Sequence, residues 1–146
     1  MTTFSLRAVF SLSAVFVIAC IVAGCSSGPK RPACYPVNGK VFLNQQAVAE
    51  AQVTFHPKQG NSITLPIAIT DGNGEFHLTT YSDRDGAPEG DYIVTVELKQ
   101  LVQQGEEKTR SGKNLLPADY ANIKRSPLKA TVKPGTNSGV ILELKR

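Results

Sequence analysis

Cys25 is the residue of this chain whose surroundings point most directly to chemistry. A cysteine thiolate is a nucleophile, and this cysteine follows an apolar run and precedes the polar pair Ser26-Ser27. Three fates are open to a cysteine in such a place: the end of a membrane helix, one half of a disulfide, or a cut site at which the chain acquires a lipid. The neighbouring segments help to decide among them.

The apolar run covers residues 8–23 and is interrupted only by Ser11, Ser13 and Cys20. It is shorter than the roughly 20 residues that cross a bilayer comfortably as a helix, and no cluster of Lys or Arg follows it directly. A basic residue, here Arg7, then an apolar stretch and then small residues form the pattern of a secretory signal. We therefore predict residues 1–24 to be a signal peptide.

The motif Val22-Ala23-Gly24-Cys25 resembles the lipobox of bacterial lipoproteins. The resemblance implies that Val22, Ala23 and Gly24 are recognised by the signal peptidase. It also implies that the thiol of Cys25 takes up a diacylglyceryl group and that Cys25 becomes the first residue of the mature chain. The alternatives are an unlipidated signal peptide and an uncleaved anchor.

A second motif of the same kind covers residues 17–20 and ends in Cys20. Cutting there would leave apolar residues 21–23 on the mature chain, whereas serines follow Cys25, so we rank the second site lower. With Cys20 removed and Cys25 lipidated, Cys34 is the remaining thiol, and we expect a fold without an internal disulfide. Cys34 is then either a reactive or intermolecular thiol or a bystander near the domain edge.

The mature chain divides into a short tether and one domain. Residues 25–36 contain the lipidated cysteine and three prolines with almost no apolar periodicity, which is typical of a partly stiff spacer. Residues 37–146 are long enough for one domain with its own core. We assign them to a single β-sandwich domain.

Seven segments of this domain alternate between apolar and polar residues with a period of two, which predicts half-buried strands and an all-β, seven-stranded antiparallel sandwich. Pro66 removes a backbone donor, so its strand is predicted to be kinked or at a sheet edge. Residues 100–127 are predicted as a long polar loop, either functional or simply solvated, with Leu115, Leu116 and Tyr120 pinned to the core. The apolar positions predicted to share the buried face of their segments are Val37, Val41, Leu43; Val53, Phe55; Ile63, Leu65, Ile67, Ile69; Phe76, Leu78; Tyr92, Val94, Val96, Leu98; Leu128, Ala130, Val132; and Val140, Leu142, Leu144.

The order of four motifs along the mature chain resembles a family of small bacterial surface lipoproteins with a transthyretin-like, or carboxypeptidase regulatory-like, domain. The motifs cover residues 37–57, 69–80, 85–98 and 115–145. The resemblance implies a Greek-key sandwich of transthyretin-like or Ig-like type. It also implies a binding or scaffolding role without catalysis and without a cofactor.

Asp71, Asn73 and Glu75 alternate along a turn in the way that calcium ligands do. The EF-hand pattern fails, however, because Phe76 and Ser82 stand where that loop needs a glycine and a glutamate. Asp-Gly and Asn-Gly between apolar segments are strong hairpin signals. We therefore predict a strand-joining turn, with a loose calcium site helped by Asp83 or Asp85 as the alternative.

The two histidines, His56 and His77, are out of phase with the buried positions of their segments and are predicted on the exterior. A small metal-dependent binder or hydrolase that uses His56 and His77 is the alternative function, and it would need the two side chains to be adjacent. No hydrolase, zinc-protease or phosphate-loop motif occurs. We expect no catalytic residue and no metal site.

Charge is distributed unevenly along the chain. Residues 25–98 carry a net charge of −3, whereas residues 99–146 carry +6. The basic half is either a dispersed, solvated surface, which we rank first, or a contact surface for an anionic polymer, a lipid surface or an envelope protein. Nucleic acid is not expected, because basic and aromatic residues are not interleaved. The expected location is extracytoplasmic, at a membrane of the cell envelope, through the N-terminal lipid.

Overall fold

The computed structural model describes residues 31–60 and 63–146. The predicted signal peptide and the site residues Val22, Ala23, Gly24 and Cys25 lie outside the described residues. Residues Pro32–Arg146 form one compact unit. Every described core side chain belongs to this unit, which therefore has a hydrophobic core of its own.

The described residues form twelve strands, one short 3₁₀ helix and the turns between them. The strands are β1 (Cys34–Tyr35), β2 (Val37–Leu43), β3 (Gln46–Ala47), β4 (Gln52–Pro57), β5 (Ile67–Ile69), β6 (Glu75–His77), β7 (Ala87–Pro88), β8 (Gly90–Glu97), β9 (Lys99–Gln104), β10 (Glu107–Asn114), β11 (Lys129–Val132) and β12 (Asn137–Leu144), and the 3₁₀ helix is Ala118–Ala121.

Two four-stranded sheets make up the body of the domain. Sheet I has the order β12-β2-β3, and β6 also pairs with β2; sheet II has the order β11-β8-β4-β5. Two further pairs, β1 with β7 and β9 with β10, are separate two-stranded ribbons. All pairings are antiparallel except that of β12 with β2, which is parallel.

The core lies between the two sheets. The ring of Phe55 on β4 is 6.4 Å from that of Phe76 on β6 and 5.5 Å from that of Tyr92 on β8, so aromatic side chains of both sheets meet there. Alternation explains why these segments are strands, since Tyr92, Val94 and Val96 of β8 are buried in the core while Ile93 and Glu97 face outward. The predicted all-β sandwich is confirmed.

The phase of β5 is the reverse of the prediction. Ile67 and Ile69 are 40% and 57% exposed, whereas Pro66, Ala68 and Thr70 are buried. β5 is the edge strand of sheet II, as the proline before it predicts. The inward-facing positions at this edge are occupied by the smaller side chains, and the two isoleucines face outward.

The segment predicted as one long loop contains a β-hairpin, formed by β9 and β10. The remainder of residues 100–127 contains the 3₁₀ helix. Leu116 and Tyr120 are buried, as predicted, but Leu115 is 47% exposed and is not pinned to the core. The hairpin has no buried face, so the alternation that reveals the other strands is absent from its sequence.

The strand directions define two ends of the domain. β1 and β7 pair near the point where the chain arrives at Pro32, and β2 and β8 start beside them. We call this the proximal end; the turns after β4 and β11 also belong to it. At the opposite, distal end lie the end of β8 and, because β12 runs parallel to β2, the end of β12.

The compact unit begins earlier than the predicted domain start at residue 37. Cys34 and Tyr35, which fall in the segment predicted as a tether, form β1 and pair with Pro88 and Ala87. Residues 32–36 are therefore part of the folded unit.

Candidate functional site

The β9–β10 hairpin, residues 99–114, forms an arm at the distal end. β9 starts directly after β8, and the backbone N–H of Leu115 donates to the carbonyl oxygen of Leu98 at 2.8 Å, which closes the base. The strands of the arm pair only with each other among the described residues, and every residue of β9 is exposed. Six strand residues extend for roughly 20 Å.

The arm is held at its base by polar contacts. Arg110 forms an ion pair with Glu50, and its guanidinium also donates to the carbonyl oxygen of Lys99 at 2.9 Å. The side-chain oxygen of Asn114 accepts the backbone N–H groups of Leu98 and Leu116 at 3.0 and 3.3 Å. The arm is thus fixed where it leaves the body.

The exposed side chains of the arm combine charge with apolar surface. Leu101 and Val102 are 49% and 39% exposed. Four basic side chains, those of Lys99, Lys108, Arg110 and Lys113, lie on the same arm with two acidic ones, Glu106 and Glu107. Exposed apolar side chains with polar groups around them are compatible with a protein contact surface, in which an apolar centre has a polar rim.

A groove of about 290 Å³ opens beside the base of the arm, at the distal end. We call it the distal groove. Leu98 and Leu115 from the two sides of the arm's base line it together with residues from β2 and β3. The full lining is Leu43, Gln46, Ala47, Val48, Ala49, Leu98, Leu115, Leu116 and Arg146.

A larger groove, of about 610 Å³, lies at the proximal end of sheet II. We call it the proximal groove. The start of β8 forms its floor, and the turns after β4 and β11 form its sides. Its lining is Pro57, Gln59, Glu89, Gly90, Asp91, Tyr92, Thr131, Val132, Lys133 and Pro134. The sequence did not reveal either groove, because their linings come from segments that are far apart in the chain.

The Asp71 turn is a structural one. The carboxylate oxygen Oδ1 of Asp71 accepts the backbone N–H groups of Asn73 and Glu75, each at 2.8 Å. Glu75 itself pairs with Lys40 on β2 at 2.8 Å. Asp71 and Glu75, two of the side chains considered as calcium ligands, are thus engaged in the turn and in the sheet, in agreement with the predicted strand-joining turn.

The two histidines lie on different sheets. His56 is on β4 of sheet II, where its Nε2 is 2.8 Å from the hydroxyl of Thr95, and burial lowers the pKa of its imidazole below the usual 6.5. His77 is on β6, which pairs with β2 of sheet I, and it is exposed. Within residues 31–60 and 63–146, no group of three or more His, Cys, Asp or Glu side chains could hold a metal ion. The geometry does not bring His56 and His77 together.

Cys34 is half-buried at the proximal end. Burial raises the pKa of its thiol above the usual 9.0, and the negative charge of Asp85 raises it further. A thiol that keeps its proton is a poor nucleophile. The environment of Cys34 therefore favours a structural bystander over a reactive thiol.

Asp85 organises the loop around Cys34. Burial alone would raise the pKa of its carboxyl group. The backbone N–H groups of Thr80, Tyr81 and Ser82 donate to that group at 2.7, 2.9 and 3.0 Å, however, and the net result is a pKa below the usual 3.8.

In the part of the chain that the structure describes, no helix is long and apolar enough to cross a membrane.

No protein-family model matches this chain. No curated protein is similar to it in sequence. Among solved structures, it resembles the crystal structure of a "putative carbohydrate binding protein" from Pseudomonas aeruginosa, with a TM-score of 0.41 and 16% identity over 80% of this chain and 91% of that one. A likeness this distant says nothing about what the present chain binds. The resemblance to transthyretin-like surface lipoproteins therefore depends on the sequence motifs alone.

Proposed function

We propose that this protein is a lipid-anchored, extracytoplasmic binding module that contacts another protein of the cell envelope through its distal arm and performs no catalysis. The observation that carries the proposal is the position of the arm. Residues 99–114 stand at the end of the sandwich opposite Pro32, where the chain from Cys25 arrives. A partner can therefore reach the arm without meeting the attachment point.

The anchor in this proposal is the diacylglyceryl group on Cys25. A single acyl chain holds a protein weakly at a membrane, whereas two or more give stable attachment. Cys25 precedes the compact unit by seven positions. The folded unit then stays attached to the membrane and presents its arm to components of the envelope.

A protein partner suits the arm better than a bare anionic polymer does. Leu101 and Val102, which lie on opposite faces of the arm, expose apolar surface that a polyanion would leave in contact with water. The distal groove adds apolar surface at the base of the arm. Glu106 and Glu107 at the tip interrupt the basic side chains of the arm, so a polyanion would not meet a continuous basic surface there. Apolar residues surrounded by a polar rim are the usual makeup of protein interfaces.

Site-specific crosslinking in intact cells tests the arm. A photo-crosslinking amino acid at Leu101 should give a discrete adduct with one protein, and the same amino acid at Ile141 on the outer face of sheet I should not. Ile141 is a fair control because it is 58% exposed, similar to Leu101. Adducts of equal yield at both positions, or none at Leu101, would contradict the proposal.

A shortened chain gives the matching loss-of-function test. Joining Lys99 to Asn114 through Asn-Gly, which makes a tight hairpin turn, removes the arm but keeps the Leu98–Leu115 hydrogen bond at its base. We expect this variant to unfold at the wild-type urea concentration and to lose the partner. Retained partner binding by the folded, armless chain would rule out the arm as the contact element.

The anchor has its own matched pair of variants. Cys25→Ser should lose the acyl mass from the N-terminal peptide and leave the membrane fraction, whereas Cys34→Ser should keep both. Full membrane association of Cys25→Ser, or wild-type protein without acyl mass, would show that the lipid anchor is wrong.

A further inference from the structure

We propose that the proximal groove is a binding site for a short neutral glycan. The proposal is independent of the arm, which lies at the other end of the sandwich. A volume of about 610 Å³ lies within the range of about 300 to 1,000 Å³ that is typical of small-molecule sites.

The groove is formed where the central strand of sheet II is flanked on both sides by turns. At the start of β8, the backbone N–H of Lys58 donates to the carbonyl oxygen of Asp91 at 2.9 Å. On the other side, Val132 of β11 pairs with Gly90. Beyond these pairings β4 and β11 continue into turns, and residues 89–92 form the floor of the open proximal groove.

The floor includes a backbone conformation that favours glycine. Gly90 has a φ of +150°, and a Cβ atom placed there would come near only the ring of Tyr92, at 3.9 Å. Space above the floor is therefore open at this point. Backbone conformations of this kind are concentrated at ligand sites in proteins.

The polar groups of the groove favour a ligand that both donates and accepts hydrogen bonds. Glu89 and Asp91 offer carboxylate oxygens, which accept, while Lys133 and the amide of Gln59 donate. The carboxylate of Asp91 is already oriented, because the hydroxyl of Thr131 donates to its Oδ1 at 2.5 Å. A hydroxyl group of a ligand can donate to the carboxylates and can also accept from Lys133 or from the amide of Gln59.

The charges of the groove argue against an anionic ligand. The carboxylates of Glu89 and Asp91 outnumber the single ammonium group of Lys133, so an anion would be repelled. A neutral ligand rich in hydroxyl groups avoids this repulsion and can still use Lys133 as a donor. Charge therefore selects against anionic oligosaccharides.

The sides of the groove supply the apolar contacts that a sugar ring needs. Pro57, which is half-buried, lies on one side, and the exposed Pro134 lies on the other. Rigid proline rings offer flat apolar surfaces at little cost in conformational entropy. Polar groups at the floor with apolar side walls match the two faces of a pyranose, whose C–H groups and hydroxyls point in different directions.

The test is a titration of the unit Pro32–Arg146, which contains the whole described core. Binding is monitored through the backbone amide signals in NMR spectra. The probes are maltotriose, cellotriose and chitotriose as neutral trisaccharides, with trigalacturonate and the glucosamine trimer as anionic and cationic comparators. We expect at least one neutral probe to shift the amides of residues 89–92 and 131–133 and to bind more tightly than either charged comparator.

Two isosteric variants identify the groups responsible. Glu89→Gln and Asp91→Asn should each weaken binding of the neutral probe about tenfold, the loss expected for a hydrogen bond to a charged group. Glu107→Gln, the same change at the tip of the arm, is the control and should bind like the wild type. Spectra of the free variants establish that each is folded.

Four results would overturn the proposal. The first two are no saturable shift with any neutral probe at millimolar concentration and shifts confined to residues outside the groove. The other two are wild-type affinity in both folded groove variants and tighter binding of a charged comparator than of every neutral probe. None of these outcomes bears on the arm, so the two proposals fail separately.

Discussion

The hydroxyl group of Tyr120 is hydrogen-bonded to both backbone groups of Lys145. The N–H of Lys145 donates to the tyrosine oxygen at 2.8 Å, and the hydroxyl donates to the carbonyl oxygen of Lys145 at 3.3 Å. The 3₁₀ helix that carries Tyr120 is thereby attached to the end of β12, 25 positions away. This contact closes the distal end of the sandwich below the arm.

Replacing Tyr120 with phenylalanine tests this closure. Tyr120→Phe keeps the buried ring but removes both hydrogen bonds, so we expect the free energy of unfolding to fall by about 1 to 2 kcal/mol. Urea unfolding measures the loss. Tyr35→Phe, which removes the hydroxyl of a partly buried tyrosine elsewhere in the domain, serves for comparison. If Tyr120→Phe unfolds like the wild type, the two hydrogen bonds contribute nothing net.

Thr70 is a buried polar residue with two backbone partners. Its Oγ1 accepts the N–H of Ala51 at 2.8 Å and donates to the carbonyl oxygen of Val48 at 2.7 Å. Thr70→Val is similar in volume but leaves both backbone groups unpaired in the core, so a loss of roughly 2 to 4 kcal/mol is expected. Thr70→Ser keeps the hydroxyl and should lose less. An equal loss in both variants, measured in urea, would show that the methyl group contributes as much as the hydroxyl and would contradict this prediction.

Asp85 makes stability depend on pH. Its pKa is lowered in the folded state, so its contribution to stability is fully present above the unfolded-state pKa, near 3.8, and is lost as the pH falls through the lower folded-state value. Asp85→Asn should therefore be less stable than the wild type at neutral pH, and the difference should shrink as the pH is lowered below about 4. Asp83→Asn, in the same loop, is the charge-matched control. A difference between wild type and Asp85→Asn that is constant with pH would refute the assignment.

Gly86 allows β1 to approach the body of the domain. Its φ is +89°, and a Cβ atom there would collide with the backbone carbonyl of Tyr35. Gly86→Ala should therefore lower stability by about 1 to 3 kcal/mol for the backbone conformation and by a further amount for displacing β1. Gly135→Ala is the matched control, because Gly135 also has a positive φ, of +102°, but nothing within 4 Å of such a Cβ. Equal losses in the two variants would mean that the collision is relieved without cost.

Most of the sandwich could be predicted from the sequence, because burial of one face leaves a period of two. Each of the seven alternating segments contains a strand, and Tyr92, Val94 and Val96 are buried as the pattern of β8 predicts. The phase of β5 could not be predicted, since Ile67-Ala68-Ile69 is apolar on both faces. Which face is inward depends on the room beside β4, and that room is a property of the packed sheet.

The candidate sites were less predictable, for a physical reason. The arm buries no face, so its strands show no alternation and read as a loop. The proximal groove depends on pairings such as Val132 with Gly90, which bring together segments that are far apart in the sequence. The turn around Asp71, in contrast, is formed by neighbouring residues and was predicted correctly.

The parallel pairing of β12 with β2 also has a consequence for the order of assembly. Asn137 lies opposite Val37, one hundred positions earlier in the chain. Contacts between such distant segments require a large loop to close first and slow the folding reaction. Sheet I cannot be completed until β12 has been synthesised, and until then one edge of β2 is open. Folding of this domain should therefore be slow for its size, and its incomplete chains should be prone to associate through β2.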